Sequence, residues 1–402
     1  MGLLRGGAMP VSLLKQAKLP LMVVVLLIIT VIAGFYMPLF LKQLIYTASS
    51  LAKQVIILLL PIVVFALIFT SITRLGQGAV KLVLLLVPML CISNFISSWI
   101  GFSAGSLLVS HLSFHKIIAQ NNNLLVPLID INFPTIMSSK YSMLCALVSG
   151  YVASIFLPNF AVKAASVLSR VSVIILSKIF IPLIPVLICG FVLKMQHEGL
   201  LGSLLKNYSI IFISISVVQL SYIFILYLIA TKFNIHKVFD CLKNILPAAV
   251  TGFSTMSSAA ALPVSLQAAH LNLKNDKVSN FVIPSAVNFH LIGDCIAIPI
   301  FALAIMSSYG YPPVSAYTYL IFSLYVVVAK FGVAAVPGGG IIVIWPILEN
   351  VFGFNVAMLS FIQALYILFD SFITVANVLG NGAFAMIYNN VYKGLKLNAG
   401  KA

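Results

Sequence analysis

Two short stretches interrupt the apolar sequence near the C-terminus: residues 257–263 (SSAAALP) and residues 336–340 (VPGGG). Each is followed, at nearly the same spacing, by an apolar segment that carries one acidic residue: Asp294 after the first stretch and Asp370 after the second. In a membrane protein, a pair of Gly/Pro-interrupted apolar segments in corresponding positions is typical of a transporter's substrate site. The repeated pattern therefore predicts a transport core with inverted-repeat organisation.

The composition places the whole chain in a membrane. Of its 402 residues, 62% are hydrophobic and 7% are charged, and the mean hydropathy is +1.15, far outside the range of soluble domains. Apolar runs such as residues 19–41 and 210–230 lack the alternation of barrel strands, and only helices or closed barrels satisfy their backbone in lipid. We therefore expect an all-α polytopic membrane protein.

The apolar runs predict eight transmembrane helices and two re-entrant helical hairpins. Six helices come first, followed by hairpin, helix, hairpin and helix. The expected spans are about residues 19–41, 51–73, 79–110, 141–158, 164–194, 207–231, 277–308 and 356–392, with hairpins at about 236–272 and 314–354.

These spans define three predicted regions. Residues 1–235 form mainly the scaffold and oligomerisation helices, residues 236–393 the transport core, and residues 394–402 a short basic cytoplasmic tail. The polar residues 111–140 are expected to lie outside as an insertion or loop.

The charge pattern predicts topology. The net charge is +16, but the basic residues are spread singly between apolar spans, which argues against a nucleic-acid partner. With both termini in the cytoplasm, most basic residues fall on the cytoplasmic side, as the positive-inside rule requires. The compact length and the lack of a targeting extension favour a bacterial plasma (inner) membrane. The five cysteines form no metal or disulfide pattern.

The last apolar span carries a polar stripe. Asp370, Thr374, Asn377 and Asn381 follow i, i+4, i+7, i+11 on one helical face, and such a stripe in lipid must face protein or water. Asp370 can accept from an ammonium and Asn377 can donate to a carboxylate, which suits a zwitterionic amino acid. The alternative is that these groups only hold helices together.

These motifs resemble those of the glutamate transporter (dicarboxylate/amino acid:cation symporter) family, of which the chain looks like a divergent member. The similarity covers the order of elements over nearly the whole chain. It is carried by Ser257-Ser258 with Leu262-Pro263-Val264, by Ala335-Val336-Pro337-Gly338-Gly339-Gly340, and by Asp370, Thr374 and Asn377.

The resemblance implies a substrate site. Asp370, Thr374 and Asn377 would contact the amino and carboxylate groups of an amino acid, and the small residues of both tips would bring backbone N–H groups close to its carboxylate. Ile373 stands where transporters of acidic amino acids carry an arginine, which favours a neutral amino acid, including an apolar one. The implied tip residues are Ser257, Ser258, Val336, Pro337, Gly338 and Gly340.

The ion sites depart from the family pattern. Residues 290–294 (HLIGD) replace the family's Asn-Met-Asp-Gly-Thr, and Asn381 replaces a sodium-binding carboxylate. Losing charged oxygen ligands weakens a hard-cation site, so the coupling ion is either H⁺ or Na⁺. His290 and Asp294 stand at i, i+4, where they either carry a coupling proton or merely satisfy each other. Lys330 either stands in as a tethered cation or snorkels to the outer interface.

The resemblance also implies a homotrimer that works by alternating access, with the second hairpin as outer gate and no cofactor other than the coupling ion. An uncoupled uniporter, an exchanger or a channel-like relative would keep the same amino acid site. A remote alternative is an intramembrane aspartyl protease that uses Asp294 and Asp370, but Gly293-Asp294 lacks the first glycine of the expected motif. We therefore expect a transporter and not an enzyme.

The residue at position 373 gives a direct test of substrate class. Ile373→Arg should shift uptake preference toward acidic amino acids, because the new guanidinium can pair with a second carboxylate. Competition of labelled neutral amino acid uptake by glutamate and aspartate measures the shift. A well-expressed variant with no gain in acidic uptake would contradict the alignment.

Overall fold

The computed structural model describes residues 18–75, 80–111, 125–129, 131, 139–198, 201–333 and 338–399. Within these ranges all regular structure is helical, which confirms the predicted all-α class. The α-helices are α1 Lys18–Tyr36, α2 Leu39–Leu75, α3 Val80–His111, α4 Ser139–Phe156, α5 Pro158–Ile175, α6 Ile181–His197, α7 Leu201–Ala230, α8 Ile235–Thr255, α9 Ser258–Leu273, α10 Asp276–Phe289, α11 Ile292–Ser308, α12 Ala316–Ala329, α13 Gly339–Ile342, α14 Trp345–Phe352 and α15 Val356–Ala399.

Several of these helices have the dimensions of membrane spans. Within the described ranges, five segments are long and apolar enough to cross a bilayer, so the chain is an integral membrane protein. They are Leu84–His111, Lys178–His197, Tyr208–Ala230, Asp276–Ser308 and Ala357–Leu395. The expected total of eight spans and the re-entrant course of the hairpins stay predictions.

The N-terminal helices form one packed group around α2. Helices α4, α5 and α6 all pack against α2, and α1 packs against α6. The expected loop between a first span at 19–41 and a second at 51–73 is wrong, because α2 runs unbroken through it. The chain breaks earlier, at Met37–Pro38, where proline starts the new helix without the N–H that a continuing helix would need.

A second group surrounds α11, which is buried almost throughout. It contacts α3, α7 and α15, while α15 also packs on α8, α9 and α10. Helices α3 and α7 therefore pack chiefly with the C-terminal elements, although they lie inside the predicted scaffold, residues 1–235. That three-part division remains a prediction.

Two pairs of helices come together near α11. In the first pair, α8 and α9 pack together, and Met256 and Ser257 join them. Met256 has φ 49°. Ser257 caps α9, because its Oγ accepts from Ala260 N at 3.3 Å. In the second pair, α12 packs on α14, and α12 ends in a 3₁₀ turn, Lys330–Gly332. Gly338 has φ 72°, a conformation that glycine adopts without strain. The first pair is therefore joined by a tight turn. In the second pair, residues 334–337, between the 3₁₀ turn and Gly338, lie outside the described residues.

The predicted continuous helix 277–308 is wrong in one respect: it breaks between α10 and α11. His290 and Leu291 leave the helical conformation, which frees backbone groups that need partners at membrane depth. Asn94 supplies two: its Nδ2 donates to Phe289 O at 2.7 Å and its Oδ1 accepts from Leu291 N at 3.2 Å. The break is therefore held by α3.

Glycine makes the close packing of α3 on α11 possible, which gives a test of this contact. A Cβ at Gly101 would lie 2.6 Å from Ile296 O and 2.9 Å from Ile296 Cα, both backbone atoms that cannot move aside. Gly101→Ala should therefore destabilise the protein by about 1–3 kcal/mol through overpacking. Thermal unfolding of the purified protein in detergent measures the change.

Gly394 in α15 is the matched control. A Cβ there meets nothing within 4 Å, so Gly394→Ala should be neutral or stabilising by up to about 1 kcal/mol through helix propensity. Equal melting temperatures for the two variants would contradict the packing described.

Candidate substrate and ion site

A small cavity of about 30 Å³ lies between the α8–α9 turn, Val333 and Gly340 of the second pair, the break in α10–α11 and the face of α15. It has room for a few water molecules. Six of the sequence-predicted site residues line it: Ser258, Asp294, Gly340, Asp370, Thr374 and Asn377. The structure thus brings together residues that lie more than a hundred positions apart.

Asp370 places a buried carboxylate on this cavity. Its side chain is 4% exposed. Its Oδ2 accepts from Gly338 N at 2.9 Å, and its Oδ1 accepts from Thr374 Oγ1 at 3.4 Å. No lysine, arginine or histidine of the described chain forms an ion pair with it. A buried carboxylate that has only neutral donors is a strong attractor for a cation.

Asp294 has a different environment. Its Oδ1 accepts from Tyr366 Oη, its Oδ2 accepts from Asn377 Nδ2 at 2.9 Å, and Lys330 Nζ lies 3.8 Å from Oδ1. The Oδ1 of Asn377 also accepts from Gly293 N at 2.8 Å. Asn377 therefore braces Asp294 and the start of α11. Its Nδ2 carries a second N–H, so the expected donation to a substrate carboxylate stays a prediction.

The expected pair of His290 and Asp294 is wrong. The two residues do not share a helix, because α10 ends at Phe289 and α11 begins at Ile292. His290 is buried, with its Nε2 2.8 Å from Ser93 Oγ and its Nδ1 3.0 Å from Asn381 Oδ1. This hydrogen-bonded chain joins α3 to α15, and it brings together His290 and Asn381, two of the predicted ion-coupling residues.

Lys330 is fully buried, so the alternative that it snorkels to the interface is wrong. It lies where α12 passes into the 3₁₀ turn, and its ammonium faces Asp294. The C-terminal end of α12 carries a partial negative charge, which also favours a cation there.

Two further predicted residues, Ser257 and Ile373, lie outside the cavity lining. Ser257 caps α9 at the turn, and Ile373 is fully buried behind the lining, with its carbonyl oxygen next to Gly293. Val336 and Pro337 lie outside the described residues.

Tyr366 is the site residue that the sequence analysis missed. It lines the cavity and donates to Asp294. It stands one helical turn before Asp370, so the stripe 370, 374, 377, 381 extends to it by the same i, i+4 rule. Tyrosine is common in apolar helices, so the sequence alone does not mark Tyr366 as part of the polar stripe that begins at Asp370.

Within the described chain, no group of three or more His, Cys, Asp or Glu side chains is arranged to hold a metal ion. The oxygen atoms that face the cavity come from two carboxylates, hydroxyl groups and amide groups. Such a set suits hydrogen-bond donors and hard monovalent cations better than a transition metal.

Comparison with known proteins identifies the family. The model of the Sodium:dicarboxylate symporter family matches residues 19–391. The chain belongs to this family. The match confirms the resemblance noted from the sequence motifs, and it removes the aspartyl protease alternative, because the family and the relatives below are transporters and not enzymes.

Individual relatives are similar over shorter stretches. A Caenorhabditis elegans protein named as a sodium-dependent excitatory amino acid transporter, glt-6, is 30% identical over 214 residues, 51% of this chain and 37% of the relative. The serine/threonine transporter SstT of Acinetobacter baylyi is 30% identical over 118 residues, 29% of this chain and 28% of the relative.

A third relative, the proton/sodium-glutamate symport protein of Geobacillus stearothermophilus, is 29% identical over 160 residues, 40% of this chain and 37% of the relative. The chain thus spans between 28% and 37% of the length of these relatives. Their names include an acidic and a hydroxylated substrate class.

Removing the Tyr366 hydroxyl tests the bracing of Asp294. Tyr366→Phe should destabilise the protein by about 1–3 kcal/mol, because a buried carboxylate loses a donor. Thermal unfolding measures it, with Tyr317→Phe as control, since that side chain is 73% exposed. Equal effects of the two substitutions would show that the bond to Asp294 contributes nothing.

Proposed function

We propose that the protein is a secondary active transporter that carries a small neutral amino acid across the membrane with a coupling cation. Membership of a symporter family and the names of the relatives support the class. The observation that carries the proposal is Asp370: a buried carboxylate with no cationic partner in the described chain, facing a cavity between the two helix pairs.

Asp370 is suited to the substrate's ammonium group. A substrate ammonium would be the cationic partner of the Asp370 carboxylate. It would replace the hydrogen bond that Gly338 N donates to this carboxylate. Thr374 adds a hydroxyl on the same face of α15. The amino group would thus be held from the α15 side.

The substrate's carboxylate would lie toward the two helix pairs. Ser258 and Gly340 line the cavity, and Ser258 begins α9, whose first N–H groups have no helical partner. Small residues in both helix pairs let backbone donors approach an anion. The two ends of a zwitterion would then meet complementary groups on opposite sides.

A neutral side chain fits the charges around the cavity. No basic side chain is among the described residues that line it, and the nearby Lys330 faces Asp294. A second substrate carboxylate would therefore be buried without a partner. The serine/threonine transporter among the relatives is consistent with such a substrate.

We propose H⁺ or Na⁺ as the coupling cation, with no other cofactor. His290 and Asn381 remain candidates for coupling through the chain that starts at Ser93. The ionic partner of Asp294 is Lys330 and not His290.

Alternating access is the proposed mechanism. The bond from Gly338 N to Asp370 ties the second helix pair to α15, and a substrate that takes Asp370 would release it. The two helix pairs would be the re-entrant hairpins, with the second as outer gate.

The assembly and location follow the family expectation. We propose a homotrimer in a bacterial inner membrane, with both termini in the cytoplasm and the lipid bilayer and the amino acid as its partners. The group of α1, α2 and α4–α6 would supply the fixed scaffold, and the elements around α11 would move.

Uptake into proteoliposomes tests the function. The purified protein should accumulate one or more radiolabelled neutral amino acids above equilibrium when an inward Na⁺ or H⁺ gradient is imposed separately. Asp370→Asn should abolish uptake, because the amide cannot balance an ammonium. Asp240→Asn, at an exposed position of α8, should transport normally.

The same assay separates the second candidate, an uncoupled uniporter, exchanger or channel-like relative. It is favoured by His290, which forms hydrogen bonds to neutral groups instead of the expected carboxylate. Equilibration without accumulation under either gradient would establish this candidate. No uptake of any neutral amino acid would contradict both.

A further inference from the structure

Lys330 is an unusual group to find buried beside a substrate cavity. Its side chain is 0% exposed, and its ammonium donates no hydrogen bond to the rest of the described protein. Within the described ranges, the carboxylate that pairs with it is that of Asp294, at 3.8 Å. Burying an ammonium is costly unless a carboxylate compensates it, so the position of Lys330 is set by the charge of Asp294.

Of the two residues in this ion pair, Asp294 is the one that lines the cavity. The carboxylate lines the cavity, whereas Lys330 does not. Its other two donors, Tyr366 and Asn377, are neutral. Lys330 is therefore the group that supplies the positive charge, from behind the cavity wall.

The two carboxylates of the cavity thus differ in one respect. Both are buried and both accept hydrogen bonds from neutral donors, but only Asp294 has an ammonium of the protein next to it. For a ligand that enters the cavity, Asp370 is therefore a carboxylate without a cationic partner among the described residues, whereas Asp294 is already paired with Lys330.

We infer that Lys330 permanently occupies a cation position at Asp294, and that it thereby makes the cavity selective for ligands with a single ammonium group. A free monovalent cation or a second amino group of a basic amino acid would otherwise bind at Asp294. Lys330 is in this sense a specificity-determining residue that does not touch the substrate. The part concerning amino acids rests on the proposed function, whereas the cation position does not.

The geometry also explains why the selectivity would be lost with the side chain. Lys330→Ala removes the ammonium group and most of the alkyl side chain. The buried carboxylate of Asp294 would then lie beside the space that the lysine side chain filled. Methylammonium is the smallest organic cation that reproduces the removed head group, so it serves as the probe.

Chemical rescue in detergent solution tests the cation position. Lys330→Ala should melt well below the unaltered protein, and its melting temperature should rise with the logarithm of added methylammonium chloride, as ligand linkage requires. Choline chloride at equal concentration controls for ionic strength. The unaltered protein and Lys178→Ala, which removes an exposed lysine, should show no rise beyond that with choline.

A double variant shows whether Asp294 is the group responsible. Asp294→Asn with Lys330→Ala should lose the methylammonium response and should melt higher than Lys330→Ala alone, because no charge is left unpaired. If Lys330→Ala does not fold, the double variant must still fold. A well-folded Lys330→Ala without a methylammonium response would overturn the inference, as would a double variant that fails to recover.

An amino acid comparison tests the selectivity. L-2,3-diaminopropionate carries an alanine backbone plus one side-chain amine, so L-alanine and this compound differ in the group that matters. The ratio of their binding affinities should favour L-alanine in the unaltered protein and shift toward the diamine in Lys330→Ala. An unchanged ratio would overturn the selectivity. If methylammonium rescues but no neutral amino acid of the uptake panel binds, the cation position stands and the proposed function fails.

Discussion

Backbone groups that leave a helix at membrane depth need partners from the protein, and the structure depends on how this need is met between α10 and α11. Asn94 pairs with the backbone on both sides of the break, Asn377 accepts from Gly293 N, and Gln219 Nε2 donates to Gly293 O at 2.9 Å. These side chains come from α3, α15 and α7. The break thus fixes three helices around α11, and it sets Asp294 at the cavity on the first turn of α11.

The second constraint is charge. Asp294 and Asp370 lie in one small cavity, and the protein compensates them in different ways. Lys330 neutralises Asp294 within the fold, whereas Asp370 receives only a backbone N–H and a hydroxyl. Among the described residues, Asp294 is therefore paired within the fold, whereas Asp370 is available to a cationic ligand.

The sequence was sufficient for the helical class, which depends on composition and helical periodicity, and for half of the cavity lining, which helical periodicity and the family motifs indicated. It was misleading at His290, because an i, i+4 relation holds only while the helix continues. The partner of the backbone at the break, Asn94, lies almost two hundred residues away. Tyr366 was missed for a related reason. Its importance comes from its partner on another helix, and one sequence shows periodicity within a helix but not contacts between helices.

The pairing of Asp294 has a consequence for the biogenesis of the protein. The chain is synthesised from its N-terminus, so Asp294 is made before Lys330, Tyr366 and Asn377. Until they are made, α11 carries a carboxylate without its eventual partners, and lipid is a poor solvent for it. Insertion of Lys330 and α15 supplies these partners and so stabilises α11 in the bilayer. The charge pair that shapes the mature cavity thereby couples the middle of the molecule to its C-terminus during assembly.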